Sequence, residues 1–267
     1  MLDIIMDSVL DTLKILPYLL ITFILLEFIE HKLSHKNKDI LSKNKKYGVI
    51  VGSILGALPQ CGFSSMAASL FSSRVITIGA IVAVFLSTSD EMLPIMISEH
   101  TNILLLLKII GFKVLVGIII GTLVDLIFKR KEEHCECEKD GIILSSIKHT
   151  LKIGLFILIA NLLIGFLIEK IGEDKISSIL LSKNIFTYFL ASLVGLIPNC
   201  ASSVIMTELY LSKLITVGTL LSGLLTGSGL GILLLFKTNK NIKENMLVLS
   251  IIYFTGVIVG ILVDLIV

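Results

Sequence analysis

The chain has 267 residues, 55% of them hydrophobic and only 16% charged, with a net charge of +2 and a mean hydropathy of +0.97. Soluble domains carry roughly 25% charged residues, and several runs here exceed the roughly 18 apolar residues that mark a spanning helix. The composition therefore excludes an ordinary soluble enzyme and specifies an all-α polytopic membrane protein, with the lipid bilayer as its first partner. The small net charge and the lack of basic patches interleaved with aromatics exclude a nucleic-acid partner.

The N-terminus, Met1 to Asp7, lacks the positive n-region of a signal peptide, so the first apolar segment, about Ile15 to Phe28, is expected to stay in the mature chain. A basic loop with six Lys and one Asp follows, His31 to Lys46. Tyr47 to Phe71 is an apolar run broken at Pro59–Gly62. Val75 to Ile97 is a second run, broken at Ser87-Thr88-Ser89-Asp90-Glu91. A long run then ends near Phe128, and 129–141 is a charged linker between a first transmembrane repeat (1–128) and a second (142–267).

After the linker the pattern restarts at a constant offset of 139 positions: Pro59 with Pro198, Cys61 with Cys200, Ser64 with Ser203, Gly79 with Gly218 and Ser89 with Ser228. Val124-Asp125-Leu126-Ile127 likewise matches Val263-Asp264-Leu265-Ile266, which marks a tandem duplication. Lysine favours the cytoplasmic side in short loops, and its bias swaps between equivalent loops. Six Lys in 31–46 face a balanced 169–184, while 98–101, without Lys or Arg, faces 237–245 with three Lys. That swap predicts two inverted-topology repeats of about five membrane segments each, with Pro-interrupted or re-entrant helices. The N-terminus is then outside and the linker cytoplasmic. Lys108 and Lys113 fit poorly and are expected to mark an interfacial segment. Residues 47–97 accommodate either three short passes or one pass plus a re-entrant hairpin.

Proline removes a backbone donor and breaks the helical ladder. In lipid such a break survives only where protein or a water-filled cavity surrounds it. Paired breaks at corresponding positions of inverted halves commonly meet at the binding site of a secondary transporter. The expected substrate contacts are therefore Pro59, Gln60, Cys61, Ser64 and Ser65 in one half, and Pro198, Asn199, Cys200, Ser202 and Ser203 in the other. Ser87, Thr88, Ser89, Thr226 and Ser228 join them from the second pair of breaks. Cys61 and Cys200 are the candidate soft ligands for a metal or metalloid, although a free cysteine is also a common small hydrophobe of the core. Ionisable groups at membrane depth usually face a cavity or relay protons, so Asp90, Glu91 and Glu208 are candidates for a coupling proton or cation. Asp125 and Asp264, at the ends of their runs, are expected to cap. Asn161 reads as an interhelix hydrogen bond. His134, Cys135 and Cys137 in the linker place soft ligands at close spacing, as charged loops also do by chance.

No nucleotide, zinc-protease or hydrolase motif appears, which predicts no enzyme activity and no cofactor. The Gly56/Pro59/Cys61 and Gly195/Pro198/Cys200 breaks, with the Ser-Thr-Ser-Asp-Glu segment and Pro59-Gln-Cys-Gly-Phe-Ser-Ser65, resemble the ten-span heavy-metal exporters. That family is also described as arsenic efflux or manganese transport proteins and is distantly similar to the organoarsenical permeases. The resemblance implies a bacterial inner-membrane permease exporting a metal or metalloid. Manganese prefers oxygen ligands and trivalent arsenic prefers thiolates, and the chain offers both. Two other readings stand beside it: a permease for a small organic anion in which the cysteines only pack, and a non-transporting membrane subunit. Monomer and homo-oligomer both remain open.

Overall fold

Among the described residues the fold is built largely from short apolar helices, several of which end at serine, threonine or glycine. The computed structural model describes residues 6, 8–10, 12–13, 16–17, 19–21, 24, 45–58, 61–89, 92–128, 142–171, 180 and 184–266. All elements among them are helices. The linker, with His134, Cys135 and Cys137, lies outside the described residues, as do Pro59, Gln60, Asp90 and Glu91.

In the first half these are α1 (Lys45–Gly56), α2 (Cys61–Ser72), α3 (Ile78–Ser87), α4 (Met92–Ser98) and α5 (Ile103–Ile127). The long α6 (Ile142–Ile171) follows. The series then returns as α7 (Phe186–Gly195), α8 (Cys200–Leu211), α9 (Val217–Thr226), α10 (Gly231–Thr238) and α11 (Ile242–Ile266). Each start from α8 onward falls 139 residues after its counterpart. Among the described residues, 47–97 is covered by four helices of 7 to 12 residues. At 1.5 Å per residue the longest reaches about 18 Å, short of the ~30 Å hydrocarbon core.

Local chemistry sets the same boundaries in both halves. Thr77 and Thr216 are N-caps with extended backbones, accepting from Ala80 N at 3.1 Å and Thr219 N at 3.2 Å. Each cap satisfies one of the donors a helix start leaves unpaired. The preceding helices, α2 and α8, both stop at a left-handed residue, Arg74 (φ 62) and Lys213 (φ 58). Val75 N then donates to Leu70 O and Leu214 N to Leu209 O, each at 2.9 Å. This is the Schellman closure, made here without the usual glycine.

The core runs through α3 and α9. All ten residues of α3 are buried, including Ile81, Phe85 and Leu86, and α9 is buried from Gly218 to Thr226. A helix apolar all round belongs inside a bundle. By length and hydropathy four segments can cross a membrane among the described residues: 78–98, α5, 217–238 and α11. The segment 217–238 is 83% buried and α11 only 33%. Leu107, Leu115, Ile119 and Leu123 of α5, and Phe254, Ile258 and Leu262 of α11, form exposed apolar faces. Such faces suit a helix bordering lipid. The chain is a multi-pass membrane protein with its broken segments innermost.

The halves interlock. α2 packs on α10, α8 packs on α4, and α3 meets both α9 and α11. Across the halves, Arg74 Nη1 donates to Glu244 Oε1 at 2.9 Å and Oε2 at 3.1 Å. Both side chains are mostly enclosed, at 17% and 16% exposure. Glu244→Gln is expected to cost about 2 kcal/mol, as for a lost charge-assisted bond, and the loss should show as a lower thermal midpoint in detergent. Arg74→Ala combined with Glu244→Gln should be no worse than additive, because the pair is removed by either change.

Candidate functional site

The innermost helices end on polar residues. α3 ends at Ser87, with Thr88 and Ser89 following, all buried. α9 ends at Thr226 and is followed by Gly227, Ser228, Gly229 and Leu230 before α10 begins. Gly229 has φ 53, a left-handed turn that favours glycine. The hydroxyls mostly turn back onto their own last turns. Ser87 Oγ donates to Ala83 O at 2.8 Å, Thr88 Oγ1 to Val84 O at 2.8 Å, and Ser89 Oγ to Ser87 O at 3.1 Å. Thr226 Oγ1 donates to Gly223 O at 2.9 Å and Ser222 O at 3.0 Å. Most of these bonds add a second donor to carbonyls the helical ladder already holds, Val84 O taking Thr88 N and Gly223 O taking Gly227 N.

In the second half α7 stops at Gly195, and Leu196, Ile197 and Pro198 lead into Asn199. Asn199 caps α8, its Oδ1 accepting from Ala201 N at 3.0 Å, while Ser202 Oγ donates to Asn199 O at 2.9 Å. Cys61 and Cys200 are the first residues of α2 and α8, and their side chains lie outside the described part.

Thr88 and Ser89 of the first half meet Asn199, Ser202, Ser203, Leu224, Gly227 and Gly229 of the second around one small cavity. It has about 10 Å³ of free volume, room for roughly one water-sized species. Five of the residues expected at the site therefore come together. Ser64, Ser65, Ser87, Thr226 and Ser228 are buried but are not part of that lining. Ser65 and Ser228 have hydroxyl oxygens with no hydrogen-bond partner. Glu208 is exposed on α8 and does not reach the cavity lining. Among the described residues no three His, Cys, Asp or Glu side chains gather as a metal cluster.

Asp125 and Asp264 do cap, and they do so identically. Asp125 accepts from Thr77 Oγ1 at 2.6 Å and Gly79 N at 2.7 Å. Asp264 accepts from Thr216 Oγ1, and from Gly218 N at 2.8 Å. Only Asp264 also receives the Tyr188 hydroxyl, at 2.8 Å, because position 49 in the first half is Val. A larger open cavity of about 760 Å³ lies at that end of α9, lined by Tyr188, Tyr210, Lys213, Thr216 and Asp264 among others. The matching positions in the first half hold buried Val49 and Phe71, and the Arg74–Glu244 pair.

Lys113 is the residue whose role the sequence misplaced. It belongs to no interfacial segment: it sits within the continuous α5, is fully enclosed, and donates from Nζ to Thr88 O and to Leu224 O, the latter at 2.9 Å. Lys108 is exposed. The signal available was a cation deep inside an apolar run, opposite Ile252 in the duplicate.

Residues 1–169, more than half the chain, match the family described as "Putative, 10TM heavy-metal exporter". No curated protein matches the chain, and no solved structure does.

Proposed function

The chain belongs to that exporter family, and from this premise we propose that it is a secondary-type permease exporting a heavy-metal or metalloid ion across the bacterial inner membrane. The observation that carries this reading is the small cavity, lined mostly by polar residues, that the two halves share. Thr88 and Ser89 reach it from the end of α3, and Asn199, Ser202 and Ser203 from the start of α8. Helix ends and unwound backbone around a central cavity are the usual means by which secondary transporters hold small polar species.

On this reading the two halves are inverted repeats, supported by the swapped Lys bias of their loops and by the shared offset of their helices. The N-terminus is outside and the linker cytoplasmic. Cys61 and Cys200, opening equivalent helices after equivalent prolines, supply soft contacts. Pro59 and Gln60 shape the first break as Pro198 and Asn199 shape the second, and Asp90 or Glu91 carries the coupling charge. Glu208, exposed on α8, is the weaker candidate for that role. Alternating access needs one route open and its counterpart shut. The 760 Å³ cavity at Tyr188 and Asp264, against the Arg74–Glu244 closure at the matching position, fits that need.

The test is a ligand screen on purified protein in detergent. Thermal midpoints are recorded with arsenite, manganese(II), zinc(II), copper(I) and small organic anions, for wild type and Cys61→Ala/Cys200→Ala. A ligand that binds only the folded state raises the midpoint by mass action, by about 2.7 kcal/mol at 100 times its Kd. A rise with a thiophilic species that disappears in the double variant is the expected result. A rise confined to organic anions and unchanged without the cysteines would overturn the metal assignment.

A further inference from the structure

Lys113 is buried between the ends of two broken helices, α3 and α9. A charge removed from water is expensive unless it is paired and hydrogen-bonded, yet the ammonium here is wholly enclosed. Its position in the duplicate is held by Ile252, also wholly enclosed, so α11 needs no charge at the equivalent place.

The two described acceptors explain what the cation does. Thr88 is the C-cap of α3, and Leu224 lies in the last turn of α9. In α9 the chain breaks before Leu224 O receives its helical partner: Gly227 N donates to Gly223 O and Ser228 N to Thr226 O. Lys113 Nζ takes up that orphan carbonyl at 2.9 Å, together with Thr88 O from the other half. Both residues also line the small cavity between the halves. Helix C-termini carry partial negative charge. Two of them, converging with unwound carbonyls, form the arrangement with which secondary transporters hold a sodium ion or a proton.

The geometry points to Lys113 as a tethered cation: its ammonium fills a monovalent-cation site formed by the carbonyl ends of α3 and α9, so that the protein needs no free sodium or potassium there. Lys113 is a positioning residue, holding the two helix ends at the spacing that shapes the cavity. Its part in transport rests on the permease reading above. Its occupation of a cation site does not, and is read from stability alone.

Lys113→Ala removes three carbons and the ammonium, the outline of n-propylammonium. Thermal midpoints of the full-length protein in detergent are measured against sodium, potassium and n-propylammonium chlorides. Choline chloride at equal ionic strength and 1-propanol serve as controls. The expected result is a saturable upward shift for Lys113→Ala with at least one small cation, none with choline or propanol, and none for wild type. A variant as stable as wild type without added cation, a variant insensitive to every cation, or an equal response of wild type would each overturn the assignment. If the alanine variant is recovered only when potassium or n-propylammonium is present during extraction, that recovery is the expected shift in another form. If no cation recovers it, the assignment fails for that variant. Lys113→Met, which fills the space without charge, is the second check: it should be less stable than wild type and indifferent to cations. Stability equal to wild type would overturn the proposal. Failure of wild type to move any substrate would sink the permease reading and leave this result standing.

Discussion

Gly79→Ala is expected to destabilise the protein by about 3 kcal/mol, at the upper end of the usual cost of overpacking. A Cβ at Gly79 would run into the Gly121 carbonyl oxygen and stand 2.5 Å from Asp125 Cγ. One at Gly121 would stand 2.6 Å from Gly79 O and 2.8 Å from Val49 Cγ1. These obstacles are backbone and a side chain already engaged in capping, so α3 and α5 must move apart as bodies. Small residues that let helix backbones touch are the usual device where lipid offers no hydrophobic drive for association. The partner helix α5 holds a control. A Cβ at Gly111 would meet nothing within 4 Å, so Gly111→Ala should be neutral or stabilising by up to about 1 kcal/mol from helix propensity. Both are read as thermal midpoints in detergent. Equal midpoints for the two variants would contradict the close approach of α3 and α5.

Asp125→Ala is expected to cost about 3 kcal/mol, because it leaves a buried amide unpaired and removes a charged acceptor. Its carboxylate holds both the N-cap hydroxyl of Thr77 and the Gly79 amide, and so locks the start of α3 to the end of α5. Thr77→Ala alone should cost about 1 kcal/mol, the usual loss of a cap. Because the groups touch, the double variant should be less destabilised than the sum. Asp264→Ala should be at least as damaging, since Asp264 also accepts from Tyr188. Strict additivity of Asp125→Ala and Thr77→Ala would contradict the shared lock.

Much of this architecture was legible from residue identity. Pro-x-Cys at 59 and 198 and Val-Asp-Leu-Ile at 124 and 263 share one offset, and the helix starts from α8 onward fall on it. Hydroxyl and glycine residues in an apolar run marked the ends of α3 and α9, because they offer the backbone other partners than the helical ladder. The capping by Asp125 and Asp264 could be read from their places at the run ends. The count of passes over 47–97 could not be read, because a short apolar run does not state whether it crosses the bilayer. Lys113 escaped for a different reason. Its partners, Thr88 O and Leu224 O, lie 25 and 111 positions away. No local pattern records which carbonyls tertiary packing brings to a side chain, so a buried cation reads as a stray interfacial one. Glu208 shows the converse: an acid in an apolar stretch suggested the site, and it is exposed on α8.

The most direct test of a substrate site between the two helix breaks is transport through a filled cavity. Proteoliposomes are loaded with arsenite or with manganese(II), and release is followed for wild type and Ser203→Leu, with thermal midpoints recorded alongside. Ser203 lines the cavity on its α8 side, and the larger side chain would occupy the space meant for the ion. The expected result is release of one of the two species by wild type, and its loss in Ser203→Leu, which stays folded with a midpoint lowered by the about 1–3 kcal/mol of an overpacked site. Release at the wild-type rate through the filled cavity would contradict the account.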